Sequence, residues 1–376
     1  MKICILGNQS RAISNFWTIL MKHMQKYKHE IICIVPNTDQ VYNEKLQSLN
    51  IKLIHYDLSR KGLNPFDDYK TFKQLLNIFK EIKPDLLFTS TIKPVIYGCL
   101  AAKIAKIPNI YAVITGLGYA FEKDNLFKKC IFLIGSLLYK FALNNISGIF
   151  FQNKDDAETF KQSHILNNKS NILFARGTGV DTEKFALTKI PDIKQTLNFL
   201  LIGRLLIAKG IIEFANAARL LKKDFPTTKF SILGPKESGP GSLDINEIKK
   251  WEEEGIIEYL GESIDVRPYI AKCHALVLPS WREGVPTAIM EGMSMGRCAI
   301  VTDVPGCREV IEDGFNGYLC KKGDYESLAK AIRKLIKNPN DILIMGDRSR
   351  EIATKNFDAH IVANKMIYDM KIGEKS

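Results

Sequence analysis

The stretch LNFLLIGRLLIAKG, residues 197–210, decides the fold class of this chain. An apolar run rich in leucine ends at Gly203, and a stretch of helical character follows the next glycine. An apolar strand that leads through a glycine turn into a helix is typical of a parallel sheet covered by helices on both faces.

The same alternation recurs on both sides of this stretch. Strand-like runs precede it at KICILG, EIICIVP, IKLIHYDL, PDLLFTS, NIYAVIT and GIFFQN, and follow it at KFSILG, IIEYLG, HALVLPS and CAIVTD. The polar segment IPDIKQT separates the two series. We therefore predict an α/β chain of two tandem Rossmann-like, doubly wound domains facing a cleft. The expected bounds are 1–190 and 191–355, with a C-terminal helix over 356–376 that crosses back to the first domain.

Composition indicates an intracellular globular protein. The 376 residues are 46% hydrophobic and 25% charged, which is enough apolar material for two cores. The eight cysteines form no C-x-x-C pair, so we interpret them as buried, reduced thiols. The apolar burst at the N-terminus is too short for a signal peptide, and no run reaches the ~18 apolar residues of a spanning helix. We expect a cytoplasmic protein that does not cross a membrane.

Positive charge is concentrated in the first half of the chain. Residues 1–190 contain 26 Lys and Arg against 15 Asp and Glu, whereas residues 191–376 contain 27 against 26. Such a field favours an anionic partner for the first domain, namely a membrane surface, a phosphorylated acceptor or nucleic acid. A solubilising lysine surface is the simpler alternative.

One apolar segment fits a membrane surface. Lys128, Lys129 and Lys140 flank the run Ile131–Tyr139, as expected for a helix that lies in the interface of an anionic bilayer. The alternative is an ordinary buried helix of the first domain.

The strongest motif is SWREGVPTAIMEG, residues 280–292, which directly follows a predicted strand. Its glutamates, Glu283 and Glu291, are separated by seven residues. We expect Glu283 in the loop and Glu291 about two turns into a helix, with Pro286 in the first turn. Gly284, Val285, Pro286 and Thr287 would then present a helix N-terminus to an anion, and the carboxylates would accept hydrogen bonds from sugar hydroxyls. Solvated surface glutamates are the alternative.

A second motif supplies cations at the carboxyl end of another strand. Arg204 and Lys209 follow the strand that ends at Gly203. Two cations at this position suit a diphosphate, although each alone would be an unremarkable surface residue.

These motifs together resemble the retaining glycosyltransferases of family 4, which have the two-Rossmann GT-B fold. The likeness rests on GRLLIAKG followed by REGVPTAIMEG, and it extends over nearly the whole chain. It implies that Arg204 and Lys209 bind the donor diphosphate, that Glu283 faces the donor sugar and that Glu291 binds the ribose. It also implies front-face displacement without a protein nucleophile, and no cofactor or metal is expected because the cations and helix amides neutralise the leaving group. No Asp-x-Asp motif occurs in the chain.

Within that family the chain most resembles the bacterial subgroup that extends sugars on undecaprenyl diphosphate. YDLSRKGLNPF, LAAKIAKIP and ITGLG contribute to this likeness. The expected acceptor side is formed by Gly7, Asn8, Ser10 and Arg11 after the first strand and by the turn at Gly116 and Gly118.

The resulting hypothesis is a retaining transferase that moves a sugar, N-acetylhexosamine from a UDP donor in α linkage, to a polyprenyl-diphosphate-linked saccharide. It would act in capsule, O-antigen or other surface glycan assembly, attached peripherally to the cytoplasmic face of the inner membrane. A UDP sugar is favoured over a GDP sugar. A non-hydrolysing UDP-sugar 2-epimerase of similar fold is the alternative enzyme. A nucleic-acid-binding protein is the alternative of another class, but no aromatic-rich RNA-binding signature occurs, so nucleic acid is not expected as a partner.

Overall fold

The computed structural model describes residues 1–59, 64–117, 126–239 and 241–373, without the side chains of 126–128. The chain forms two compact units. Unit 1 consists of Met1–Thr178 together with Ala359–Ser376, and unit 2 consists of Gly179–Asp358. The first boundary therefore lies before the predicted linker, and residues 179–190 belong to unit 2.

Unit 1 is built on a parallel sheet with the strand order β3-β2-β1-β4-β5-β6-β7. The strands are β1 (Lys2–Leu6), β2 (Glu30–Val35), β3 (Lys52–His55), β4 (Leu86–Ser90), β5 (Asn109–Ile114), β6 (Gly148–Phe151) and β7 (Ile172–Phe174). Central strands such as β4 are buried along their whole length. Continuous burial explains why they consist of unbroken apolar runs instead of alternating polar and apolar residues.

Helices of unit 1 connect successive strands. They are α1 (Ser10–Phe16), α2 (Thr18–Lys26), α3 (Gln40–Gln47), α4 (Pro65–Ile82), α5 (Cys99–Ile104) preceded by a π-helical turn at Pro94–Gly98, α6 (Leu126–Leu143), α7 (Lys154–Gln162) and the C-terminal α14 (Ala359–Asp369). α4 begins with a favourable cap, because the Asn64 side chain accepts a hydrogen bond from the Phe66 amide and Pro65 occupies the first turn.

Unit 2 contains a second parallel sheet with the order β10-β9-β8-β11-β12-β13. The strands are β8 (Asn198–Ile202), β9 (Lys229–Leu233), β10 (Glu258–Tyr259), β11 (Ala275–Leu278), β12 (Cys298–Thr302) and β13 (Gly317–Cys320). Its helices are α8 (Ile211–Lys222), α9 (Ile245–Glu253), α10 (Arg267–Lys272), α11 (Thr287–Ser294), α12 (Tyr325–Lys337) and α13 (Asn340–Asn356). Two doubly wound parallel-sheet units confirm the predicted fold class.

In both sheets the strand order reverses beside the first strand of the unit, between β1 and β4 and between β8 and β11. Loops that leave the sheet at such a switch point diverge and open a crevice at the carboxyl ends of the strands. In unit 2 this is the edge at which both predicted motifs begin.

A buried arginine fixes the start of unit 2. The Arg297 side chain is fully buried and donates hydrogen bonds to the carbonyl oxygens of Thr188 and Lys189, and also to those of Cys273 and Met295. Its charge is therefore solvated by backbone dipoles. This contact explains why residues 188–189 belong to the second compact unit.

The C-terminal segment returns to unit 1, as predicted. Val362, Ala363, Met366 and Ile367 of α14 join the core that contains Ile3 and Ile5. The preceding helix, α13, ends at Asn356 and belongs to unit 2, so the return to unit 1 begins close to the predicted residue 356.

Seven of the eight cysteines are buried, as expected, whereas Cys130 on α6 is exposed. Among the described residues, no helix combines the length and apolar character needed to cross a bilayer.

Candidate functional site

The turn after β8 requires glycine at position 210, because any side chain there would force the neighbouring backbone to move. Gly210 has φ 72°, and a Cβ atom there would overlap the carbonyl oxygen of Pro279. A short 3₁₀ turn at Ile207–Lys209 precedes it. The amide of Trp281 donates to the carbonyl oxygen of Ala208 at 2.9 Å, so the turn and the loop after β11 pack together.

This packing joins the two predicted motifs. Lys209 Nζ lies 2.5 Å from Glu283 Oε1, and the two side chains are only 23% and 12% exposed. Both residues extend from carboxyl ends of neighbouring strands, which explains a contact between positions that are far apart in sequence. A ligand that carries both an anion and hydroxyl groups can replace this contact, because Lys209 can bind the anion and Glu283 can accept hydrogen bonds from the hydroxyl groups.

The loop after β12 packs against the loop that carries Glu283. Gly306 has φ 82°, and a Cβ atom there would overlap the carbonyl oxygen of Gly284. Thr302 Oγ1 also donates to the carbonyl oxygen of Ser280 at 2.6 Å. This support was not predicted, although Gly306 follows the apolar run CAIVT after only three residues.

α11 begins immediately after this loop and places its N-terminus at the same edge of the sheet. Pro286 is the N-cap residue, so the helix begins at Thr287, and Glu291 lies about one turn into the helix and not two. Val285 and Pro286 are buried. The first amides of α11 carry the positive end of the helix dipole, which favours an anion.

Glu291 is partly buried, and its carboxyl group is perturbed. Burial raises the pKa of Glu291 to about 7, with Lys184 opposing this rise and Asp265 adding to it. A carboxyl group that is half ionised near neutral pH can accept a hydrogen bond from a hydroxyl group or donate one to it.

Arg204 lies in the same β8 turn but is more exposed. Its Nη1 atom is 3.3 Å from Glu237 Oε1 in the loop after β9. That loop approaches closely because Gly234 leaves room for the carbonyl oxygen of Gly203, and Tyr259 donates its hydroxyl to the carbonyl oxygen of Gly234. Arg204 therefore borders the edge that carries Lys209 and Glu283 and forms its ion pair elsewhere.

Residues predicted for the acceptor side occupy different environments in unit 1. Gly7 is buried at the end of β1, and its carbonyl oxygen accepts a hydrogen bond from Tyr56. Ser10 is also buried and donates its hydroxyl to Asn43, so this side chain joins α1 to α3 instead of lining an open wall.

Asn8 and Arg11 are partly exposed, and the Arg11 guanidinium lies 5.8 Å from the ring centre of Tyr42. Gly116 follows β5 with φ 130°. Gly118 lies outside the described residues. Of the six predicted acceptor-side residues, the exposed polar ones are therefore Asn8 and Arg11.

The described part of the chain contains no group of three or more His, Cys, Asp or Glu residues that could hold a metal ion.

Comparison with known proteins identifies the family. Residues 2–153 match the family described as glycosyl transferase 4-like, and residues 196–338 match glycosyl transferases group 1. The chain is 29% identical, over 99% of both sequences, to the N,N'-diacetylbacillosaminyl-diphospho-undecaprenol alpha-1,3-N-acetylgalactosaminyltransferase of Campylobacter jejuni. It is 27% identical to the UDP-Gal:alpha-D-GlcNAc-diphosphoundecaprenol alpha-1,3-galactosyltransferase of Escherichia coli, over 80% of this chain and 77% of that one.

The fold comparison agrees with the sequence comparison. The crystal structure of Anabaena HepE in complex with UDP-glucose matches with a TM-score of 0.77 at 16% identity and covers 99% of both chains. Together, the two α/β units, the family matches and the full-length relative show that this chain is a glycosyltransferase with the GT-B fold.

Proposed function

We propose that this enzyme is a retaining transferase that moves an N-acetylhexosamine from a UDP donor to a saccharide carried on a polyprenyl diphosphate. The observation that carries the donor assignment is the Lys209–Glu283 pair at the carboxyl ends of β8 and β11, directly before the N-terminus of α11. The acceptor class is supported by the two relatives, whose names both specify a diphospho-undecaprenol-linked sugar.

In this proposal each donor-binding group has a distinct task. Lys209, with Arg204 at its side, binds the diphosphate, while the first amides of α11 add a fixed dipole. Binding of the diphosphate to Lys209 frees the Glu283 carboxylate to accept hydrogen bonds from hydroxyl groups of the donor sugar. Glu291, deeper in α11, binds the ribose diol.

Retention of configuration follows from displacement on one face of the sugar. The acceptor oxygen forms its bond to the anomeric carbon on the face from which the diphosphate departs. The bond between that carbon and the phosphate oxygen breaks, and a phosphate oxygen takes the acceptor proton. Lys209 and the α11 amides stabilise the charge that develops on the leaving diphosphate, so the work of the protein is positioning and electrostatics.

The lipid acceptor requires access to a membrane, and α6 offers a suitable face. Leu133, Ile134, Leu137 and Phe141 are exposed on one side of this helix, whereas Tyr139 and Ala142 on the other side are buried. The exposed lysines Lys129 and Lys140 lie near the two ends of this apolar face. An apolar face bordered by lysines suits the headgroup region of an anionic bilayer, which supports peripheral attachment at the cytoplasmic face of the inner membrane.

The test begins with the donor. Thermal unfolding is followed with UDP-GalNAc, UDP-GlcNAc, UDP-Glc, UDP-Gal, GDP-mannose, GDP-fucose and NAD, without added metal. We expect a selective rise in melting temperature with a UDP sugar and a much smaller rise for Lys209→Ala. The exposed Lys223→Ala variant at the end of α8 is the control. A response to NAD alone would remove the donor assignment.

The stabilising donor is then incubated with diphospho-undecaprenol-linked sugars, and the product is examined by NMR. An α-configured product from an α-linked donor supports retention, whereas inversion at the anomeric carbon contradicts it.

A further inference from the structure

A polar cavity in unit 1 borders the predicted acceptor residues, because its lining residue Tyr56 donates a hydrogen bond to the carbonyl oxygen of Gly7. Its volume is about 540 Å³, within the usual range of small-molecule sites of roughly 300–1,000 Å³. It opens at the carboxyl ends of β2 and β3, against the first turns of α4, and its lining includes Asn37, His55, Asp57, Asp67, Lys70 and Gln74. Ligands of parallel α/β sheets bind at this edge.

Asp57 is exposed at the edge of the cavity and is hydrogen-bonded to α4. Gln74 Nε2 donates to Asp57 Oδ2 at 2.9 Å, while Gln74 Oε1 accepts a hydrogen bond from the Asp57 amide at the same distance. The Thr71 hydroxyl donates to the Asp57 carbonyl oxygen, and Lys70 Nζ lies 3.1 Å from the carboxylate. The hydrogen bonds from Gln74 and Lys70 lower the pKa of Asp57. The cavity therefore presents an ionised carboxylate that is hydrogen-bonded to α4 and open to solvent.

The adjoining chain segment is also fixed. Lys93 Nζ donates to the carbonyl oxygen of Ser59 at 2.8 Å and pairs with Asp68 Oδ1 at 2.6 Å. The Tyr97 hydroxyl donates to the other oxygen of Asp68. Because the Lys93–Asp68 pair is largely shielded from solvent, Ser59 at the cavity edge is anchored to α4 and to the turn after β4.

The charges of the lining distinguish among ligand classes. Among the described lining residues, two carboxylates, Asp57 and Asp67, accompany one lysine, Lys70, so this part of the lining does not favour a phosphate or a nucleotide. It contains both kinds of hydrogen-bonding group: carboxylates and amide oxygens accept, whereas the amide nitrogens of Asn37 and Gln74 and the Lys70 ammonium donate. A neutral ligand rich in hydroxyl and amide groups satisfies such a lining.

We propose that this cavity binds the saccharide portion of the lipid-linked acceptor and so determines which sugar the enzyme extends. The inference rests on the proposed function for the existence of such an acceptor. It adds a recognition site, centred on Asp57 and Gln74, to the residues at the ends of β1 and β5.

A binding experiment with the full-length protein tests this assignment without catalysis. Dissociation constants are measured in detergent, with saturating UDP, for N,N'-diacetylbacillosaminyl-diphospho-undecaprenol, for alpha-D-GlcNAc-diphosphoundecaprenol and for undecaprenyl diphosphate without a sugar. We expect the wild type to bind one of the sugar-bearing lipids more tightly than the sugar-free lipid. Asp57→Asn should reduce that preference about tenfold, because one charge-assisted hydrogen bond to the saccharide is lost. Binding of the sugar-free lipid should be unchanged.

Two lysines on α4 provide a matched comparison, because Lys70 lines the cavity and Lys73, also exposed, does not. Lys70→Ala should weaken the saccharide preference, and Lys73→Ala should preserve it. A wild-type enzyme with no preference among the lipids, or an unchanged preference in both Asp57→Asn and Lys70→Ala, overturns the saccharide site. Absence of sugar transfer to any lipid from every donor tested is the separate result that overturns the proposed function.

Discussion

Glu291 links the pH dependence of stability to the proposed donor site. Burial raises the pKa of Glu291 from its ordinary 4.5 to about 7, so the folded chain holds this proton more tightly than the unfolded chain does. The proton stabilises the fold fully below about pH 4.5, and this contribution is lost as pH rises toward 7. We expect Glu291→Gln, which is permanently neutral, to gain stability relative to the wild type over this interval, on the order of 3 kcal/mol at the plateau.

Melting temperatures of the wild type and Glu291→Gln between pH 5 and pH 8 measure this effect. The difference should grow with pH up to about 7.5 and then remain constant. A difference that is independent of pH would mean that Glu291 is already ionised in the folded protein at pH 5. The variant should also lose most of its stabilisation by UDP, since the amide cannot replace a carboxylate as a double acceptor for the ribose diol.

At the residue scale, the sequence predicted which side chains lie at the site but not which partner each one contacts. The order strand, glycine, cation predicted that Arg204 and Lys209 lie at one edge of the sheet with Glu283, but it treated the two cations alike. The structure separates them, because Lys209 pairs with Glu283 and Arg204 pairs with Glu237. Likewise, the buried Ser10 hydroxyl donates to Asn43 of α3. These residues are distant in the sequence, so the sequence pattern does not predict their contact.

At the scale of elements, the proposed donor site depends on how closely two loops approach each other. Gly306 and Gly314 both have positive φ, but only at Gly306 would a Cβ atom meet another chain segment, the carbonyl oxygen of Gly284. Gly314→Ala should therefore show only the backbone cost of about 1–2 kcal/mol. Gly306→Ala should unfold at a clearly lower temperature and lose its response to UDP. Equal effects of the two substitutions on melting temperature and UDP binding would contradict this role of the β12 loop.

The exposed face of α6 gives a second prediction at this scale. Leu137 of α6 is 48% exposed and Ile344 of α13 is 49% exposed, so each can be changed to glutamate at a similar cost in stability. Sedimentation with vesicles that contain phosphatidylglycerol should be reduced by Leu137→Glu and unaffected by Ile344→Glu, because the introduced charge opposes insertion among anionic headgroups. Binding should also weaken with added salt. Equal retention of the two variants on the vesicles would exclude α6 as the attachment surface.

The strands β7 and β13 were not predicted, and both are short, although the still shorter β10 was predicted from the apolar run IIEYLG. β7 has three residues and β13 has four, and both lie at the edges of their sheets. Edge strands of this length are stabilised by pairing with the neighbouring strand and need no long apolar run of their own. The longer, fully buried strands carry a local signal, which explains why those runs were predicted.

At the scale of the whole molecule, the last helix of the chain packs in the first compact unit and not in the second. The sequence pattern predicted the return of the last helix to the first domain, since a further apolar face follows after the second series of strands. It placed the domain boundary too late, because residues 179–190 have no regular periodicity and are held in unit 2 through contacts such as those of Arg297 with Thr188 and Lys189.

Removal of residues 359–376 should therefore damage unit 1 and spare unit 2, the proposed donor-binding unit. The deletion takes Val362, Met366 and Ile367 out of the unit 1 core and removes His360 and Asn364, both of which lie 2.8 Å from the His23 ring. We expect limited proteolysis to cut first within residues 1–178 of the truncated chain, while UDP still protects residues 179–358. If the truncated chain instead lost UDP protection and kept residues 1–178 resistant, α14 would serve the second unit. The expected pattern follows because α14, although last in sequence, completes the core that β1 begins.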